Sequence, residues 1–404
     1  MTFSLDTPGR APLVPMIIDH ASGCKLHDLD GNEFIDLHLG FWTGIIGHSP
    51  GVVAEAIKRE VDRGTNVGVG HTLEIELCEL LIEHIECAEM CCLAVSGTSA
   101  VMHALKLARA TRGRRKIAKF NQQYHGHDGD VLVDLTEFGL GIPRSDHTLV
   151  LPGTAEAFDL IRQHADDLAG IVIEPAPPVR NPLPFYDLAF FRELRRLTAE
   201  LGIVLIFDEV LRGFRSRFGA TLDDQGIVPD LACFGKIIGG GLPLAAVVGR
   251  RAIMELGRTT GNALRDHSDR VPLMATYSGN RIACAAGLAQ LKHIKQHQDE
   301  IYPYIKEKSH WLSSEINSHA IEHQLPIVAD VMDGGLVVVH KTSAAIPPAG
   351  PMHPAMLLQT YLRDQGCYFN GGPIQISPAH RPSDLERVSA AFKAAMADLV
   401  KDLA

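Results

Sequence analysis

The chain is predicted to be an α/β protein with a large, mainly parallel sheet domain and a smaller α+β domain. Three observations lead there. From about residue 92 to 250, short apolar runs alternate with helical patterns, as in sheets whose faces are covered by helices. Two of these runs end in a charged residue, Gly202-Ile-Val-Leu-Ile-Phe-Asp208 and Leu231-Ala-Cys-Phe-Gly-Lys236. Beyond about residue 299 the character changes to mixed strands, a Pro/Gly-rich stretch (Ile346 to Pro351) and two more helices. At 404 residues the chain is too long for one minimal domain. The boundaries expected are an N-terminal segment over 1–45, a large domain over 46–298 and a small domain over 299–404, with the N-terminal segment completing the small domain.

In chain order, Lys25 to Asp36 alternates around an Asp30-Gly31-Asn32 turn, which reads as a hairpin. Amphipathic helices follow over about 52–62 and 72–86, the second carrying Leu73, Leu77, Leu80 and Leu81 on one side. The apolar run Cys92-Leu-Ala-Val95 leads into a helix over 98–110. Strands are predicted at 116–120, 147–151, 170–174, 203–208, 231–235 and 244–249, with a helix at 187–201 between two of them. A long helical region begins near Arg281. The last helix opens on Ser383-Asp-Leu-Glu386, a capping-box pattern, and puts Val388, Phe392, Met396 and Leu399 on one face.

Composition narrows the function. A net charge of −10 with no long Lys/Arg block excludes a nucleic-acid-binding role, and the short basic run Thr111 to Lys116 reads as a helix C-terminus. Eight cysteines show no Cys-x-x-Cys pair and no metal-ligand spacing, so they read as free thiols in a reducing compartment. The opening Met1 to Asp6 has no signal-peptide character, and no run reaches membrane-spanning length. A cytoplasmic protein without membrane partners is expected.

Lys236 ends an apolar run and is followed by Gly239-Gly-Gly241 and Pro243, a poor place for a solvated charge. It suits a desolvated nucleophile that forms a Schiff base with an aldehyde. Ligands of parallel sheets collect at the carboxyl ends of the strands, where Asp208 and Lys236 both sit. A buried carboxylate needs a cationic partner, and the protonated ring nitrogen of pyridoxal phosphate (PLP) would serve Asp208. Ser96-Gly97-Thr98 is either an anion site at a helix N-terminus or an ordinary helix cap. Tyr124 is either a ring that stacks on a flat cofactor or a loop aromatic; its neighbours His125 and His127 lack the ligand set of a metal site. Glu174 ends the run Ala169-Gly-Ile-Val-Ile and is either a site carboxylate or a loop anchor. Thr276 could donate to a phosphate or cap a turn, and Arg281 could receive a substrate carboxylate or face solvent.

Taken in order, these segments resemble the class-III, fold-type I family of PLP-dependent aminotransferases over nearly the full length. The resemblance is carried by Ser96-Gly97-Thr98, Tyr124-His-Gly-His127, Ile206 to Arg215 and Gly235 to Pro243, with support from Asp28 to Gly31, Glu33 to Asp36 and Gly47-His48. Within the family the chain is most similar to the glutamate-1-semialdehyde aminomutase branch. The resemblance implies that Lys236 carries PLP as an aldimine and shuttles the proton, and that Asp208 pairs with the ring nitrogen. Val210 packs on the ring, Tyr124 stacks on it, Gly97 and Thr98 take the phosphate, and Thr276 reaches the phosphate of a neighbouring subunit in a homodimer with shared sites.

The chain departs from the aminomutase pattern at Glu174 to Asn181, at Ser99, at Phe41-Trp42 and at Phe369 to Ser377, where no acidic residue stands. The expected function is therefore an aminotransferase acting between a small-molecule amino donor and a carbonyl acceptor. The aminomutase is the alternative, followed by a racemase or epimerase and by a non-catalytic PLP-binding protein.

Overall fold

In a computed structural model, residues 16–135, 141, 145–176, 186–341 and 354–403 are described. The opening Met1 to Asp6, the Ile346 to Pro351 stretch and the segment from 177 to Asn181 lie outside them. The chain divides into two compact units, one formed by Met1–Gly51 with His297–Ala404, the other by Val52–Gln296.

The Val52–Gln296 unit is organised by a seven-stranded sheet. Its order is Met90–Ala94, Ala245–Gly249, Leu231–Phe234, Val204–Asp208, Leu168–Ile173, Lys116–Phe120, Thr148–Leu151. The last five strands pair in parallel. Every residue of Leu168–Ile173 and of Val204–Asp208 is buried, as expected where both faces of a parallel sheet are covered. Ala245–Gly249 runs antiparallel to both its neighbours. The connection from Phe234 to Ala245 is too short for the helical crossover that a parallel neighbour requires. The apolar run before Ser96 is the edge strand Met90–Ala94.

Helices cover the sheet through apolar stripes. Gly97–Arg112 buries Val101, Ala104, Leu105 and Ala108, and ends on Gly113 in the left-handed region (φ 62). That conformation favours glycine and stops the helix before the basic run continues. Leu188–Leu201 is capped by Asp187, whose carboxylate accepts from Phe190 N at 2.8 Å. Ala94, Ala104, Val172, Ile206 and Val247 belong to one buried cluster.

The other unit contains the predicted hairpin, Lys25–Asp28 against Glu33–Asp36, with Leu26 opposite Phe34. Its turn is tied by Asp28 Oδ1, which accepts from Asp30 N at 3.1 Å and Asn32 N at 2.8 Å. Ile35, Leu37, Ile316, Val339, Leu362 and Phe392 belong to its buried core. The final helix is Pro382–Leu403, so the cap lies earlier than Ser383. Pro382 occupies the first helical position, where its missing N–H costs nothing, and Asp384 Oδ2 reaches back to Arg381 N at 3.0 Å. The long helix Arg281–Glu322 is interrupted at His297 (φ −116, ψ 18), where one unit gives way to the other. Among the described residues no helix is long and apolar enough to cross a membrane.

Candidate active site

The parallel strands bring their carboxyl ends to one edge of the sheet. Ile173 is in register with Phe207, and Asp208 with Cys233. Glu174 and Asp208 therefore stand on neighbouring strand ends, about 4.8 Å apart in the pairing direction. Lys236 follows the next strand, Leu231–Phe234.

Asp208 is buried. Its Oδ2 lies 2.7 Å from His125 Nδ1, and its Oδ1 accepts from Val210 N at 3.1 Å. The partner that a buried carboxylate requires is thus supplied in part by the protein itself, through a histidine 83 residues away in sequence. Glu174 is buried too; its amide donates to Gln123 Oε1 at 3.0 Å and its Oε2 lies 3.9 Å from Arg212 Nε. Burial pushes the Glu174 carboxyl above the ordinary range; Arg212 and His125 oppose the rise, and Asp208 adds to it.

Lys236 has φ 46, a left-handed conformation rare for a residue with a side chain. The turn that imposes it, Lys236–Gly239, is pinned from the long helix: Gln290 Nε2 donates to Ile237 O at 2.6 Å. Two glycines allow the close approach. A Cβ on Gly240 (φ 58) would stand 2.6 Å from Ala286 O, and one on Gly287 would stand 2.2 Å from Ile238 O. Burial lowers the Lys236 amine to about 8, Asp208 and Glu174 raising it and Arg215 and Arg212 lowering it. Such an amine has a far larger neutral fraction near physiological pH than an ordinary lysine, and the neutral form is the nucleophile.

A second wall comes from the start of Gly97–Arg112. Ser96 Oγ accepts from Ser99 N at 3.2 Å, so the hydroxyl caps the helix. The remaining first-turn amides of this sixteen-residue helix have no partner within it and suit an anion. Val210 fills the space between two glycines. A Cβ on Gly97 would come within 2.7 Å of Val210 Cγ1, and one on Gly235 within 3.1 Å. Gly126 (φ 101) is equally confined, since its Cβ would meet Thr98 Oγ1 at 2.5 Å, and His127 N donates to that oxygen at 3.3 Å. Tyr124 is half-buried, its ring 5.6 Å from that of His127.

Thr276 is not part of this cluster. It is exposed, its carbonyl accepts from Asn66 Nδ2 at 3.2 Å, and among the described residues it makes no hydrogen bond to the others. Arg281 is partly buried, and its Nε pairs with Glu60 Oε2 at 2.6 Å. His125, Gln123, Arg212 and Gln290 carry structural weight that the sequence did not reveal. His125 had one indirect signal, its place beside Tyr124, which the resemblance puts on the same ring that Asp208 serves.

PLP fits this donor set. Lys236 offers an amine, Asp208 a buried carboxylate, and the Gly97–Arg112 N-terminus a place for phosphate. The Gly97–Val210–Gly235 contact leaves a wall too close for other side chains.

Comparison with known proteins agrees. The family description Aminotransferase class-III matches residues 7–137 and 146–370. The chain is 32% identical over 417 residues to a glutamate-1-semialdehyde 2,1-aminomutase 2 of Staphylococcus haemolyticus, covering 98% of this chain and 93% of that one. An omega-transaminase from Sphaerobacter thermophilus superposes with a TM-score of 0.84 at 29% identity, covering 95% and 91% of the two chains. A transaminase with PLP bound superposes with a TM-score of 0.84 at 28% identity, covering 96% and 92%. The chain is therefore a fold-type I, PLP-dependent enzyme that belongs to the class-III aminotransferase family.

Proposed function

We propose that the enzyme is an aminotransferase working between two small molecules, an amino acid or amine donor and a keto acid or aldehyde acceptor. PLP, when bound, supplies an aldehyde for amines and a ring that withdraws electrons from the substrate carbon. The residues of the chain do the rest. Lys236 holds the cofactor and, once free, its amine takes a proton from the substrate carbon and returns one. Its position near neutrality suits both directions of that transfer. Asp208, steadied by His125 and the Val210 amide, keeps the ring nitrogen protonated. Val210 and Tyr124 would bear on the ring, Glu174 would contribute a second carboxylate, and Ser96, Gly97 and Thr98 would take the phosphate.

The reading of two substrates rests on the segment Phe369 to Ser377. It carries no carboxylate where the aminomutases that the chain resembles place a substrate-facing glutamate. Asn370, a polar residue of that segment, bonds within its own unit, to His38 Nε2 at 2.9 Å and Gly372 N at 3.0 Å. The second reading, an aminomutase acting on glutamate-1-semialdehyde alone, is favoured by the name of the Staphylococcus haemolyticus relative. A screen of amino donors and keto acceptors, followed by the visible absorbance of the cofactor, tests the first. Production of 5-aminolevulinate from glutamate-1-semialdehyde without any second substrate would replace it by the second.

The enzyme is further proposed to act as a homodimer whose second copy supplies Thr276 to the phosphate. What supports this is an exposed apolar surface around that residue. Val69, Met274 and Tyr277 are 73%, 79% and 63% exposed. Asn66 and His71 tie their two segments together through Thr276 O and Gly279 O. A patch of this kind marks a protein interface.

A further inference from the structure

Two carboxylates on neighbouring buried strand ends repel, and one of them takes up a proton unless each has its own partner. Asp208 has His125 and the Val210 amide. Glu174 has less: its Oε2 is buried and receives no hydrogen bond among the described residues. The cation nearest that oxygen in an ion pair is Arg212, with Nε at 3.9 Å. Arg212 is 1% exposed, yet a guanidinium keeps its charge at any pH a protein survives. Its backbone is held in place, because a Cβ on the next residue, Gly213, would stand 2.4 Å from the Phe234 ring. The other buried guanidinium on this turn, Arg215, donates through Nε to Leu211 O at 2.7 Å.

We propose that Arg212 is a positioning residue that keeps Glu174 ionised beside Asp208, and so fixes the charge that faces Lys236. Four groups decide the state of Glu174: Arg212, His125, Asp208 and Lys236. Only Arg212 is a permanent cation, so only Arg212 holds that state constant while Lys236 gains and loses its proton. The proposal rests on Lys236 being the reacting amine, but its test needs no turnover and leaves the two-substrate reading standing whatever the outcome.

The test is the pH profile of Lys236 acetylation in the full apo chain, labelled with acetic anhydride and read by peptide mass. The wild-type midpoint is expected near 8. Glu174→Gln leaves the Arg212 charge uncompensated, so the midpoint should fall by about one pH unit, a tenfold gain in labelling below it. In Arg212→Gln, Glu174 should take up a proton and cease to act on Lys236, leaving the midpoint within a few tenths of a unit of wild type. Arg212→Lys, which keeps the cation, should show the wild-type profile, and adding Glu174→Gln to it should again lower the midpoint. A midpoint that rises by a unit in Arg212→Gln would mean that Glu174 stays ionised alone, and would overturn the proposal. Should Arg212→Gln not fold, Glu174→Gln decides: an unchanged or raised midpoint overturns it.

Discussion

Replacing Gly97 by alanine tests the cofactor wall with a single methyl group. That methyl would stand 2.7 Å from Val210 Cγ1 and 3.0 Å from Cγ2, against an optimal carbon separation of about 3.5–4.0 Å. The backbone of Gly97 is not in the left-handed region, so the penalty is steric and falls on Val210. Val210 is not free to retreat, since Gly235 lies on its other side with only 3.1 Å to spare for a Cβ. Overpacking of this size costs about 1–3 kcal/mol. If Val210 is pushed into the space the cofactor uses, that cost appears in cofactor affinity, as roughly a 5- to 150-fold rise in Kd. Titration of apo enzyme with PLP, followed by absorbance, measures it. The decisive comparison is Gly97→Ala with Val210→Ala, which removes both offending methyls. The pair should couple by at least about 0.5 kcal/mol in the direction of rescue. Strict additivity of the two single substitutions would refute the view that Gly97 is small because Val210 needs its space.

Lys236→Ala should give a colourless protein with negligible turnover, and near-normal activity would remove Lys236 from the chemistry. The rate at which apo enzyme takes up PLP should climb with pH until about 8 and then level, because only the neutral amine reacts. A rate that ignores pH across that range would contradict the lowered amine. The same lowering has a stability consequence. Between about 8 and the ordinary lysine range the unfolded chain binds more protons at this site than the folded one, so apo stability should rise with pH there, and Lys236→Met should remove that rise. Light scattering of active enzyme should give the mass of two chains, with Tyr277→Asp shifting it toward one; a fully active single chain would exclude the shared site.

The strand ends were legible because charge at the end of an apolar run is a conflict that the sequence shows directly. Asp208, Glu174 and Lys236 all declared themselves in this way; the parallel register then sets Glu174 beside Asp208, and Lys236 follows the next strand. The Ser96 cap was legible as one of two readings, and the hydroxyl is used for the cap. What the sequence concealed depends on distance or on backbone conformation. Nothing local says that His125 will lie against Asp208. Arg212 reads as an ordinary charged residue after Leu211 until the fold buries it. The last helix starts before the Ser383 to Glu386 pattern suggests, because Pro382 opens it and Asp384 makes the reach back to Arg381 N that the pattern assigns to Glu386.

The left-handed backbone is where sequence reasoning fails most completely, and it recurs. Besides Lys236, four consecutive residues from Leu39 to Trp42 have φ of 47, 63, 58 and 66. Only Gly40 among them adopts this region without penalty, and each of the others costs about 1–2 kcal/mol. Local preference therefore argues against both turns, so each must be imposed by contacts within its own unit. For Leu39 to Trp42 these are the Trp42 Nε1 donation to Pro373 O at 2.7 Å, the Asn370 amide on His38 and Asp36 Oδ1 on His38 N at 2.8 Å. For Lys236 they are Gln290 and the paired glycines 240 and 287. Strain held this firmly persists where relaxing it would lose something else. At Lys236 the thing lost would be the direction of the amine at the strand ends. The same logic makes Gln290 a residue to watch: Gln290→Leu keeps the bulk but frees Ile237 O, and should slow cofactor uptake while leaving the fold intact. An unaltered uptake rate would show that the glycines alone suffice to hold the turn.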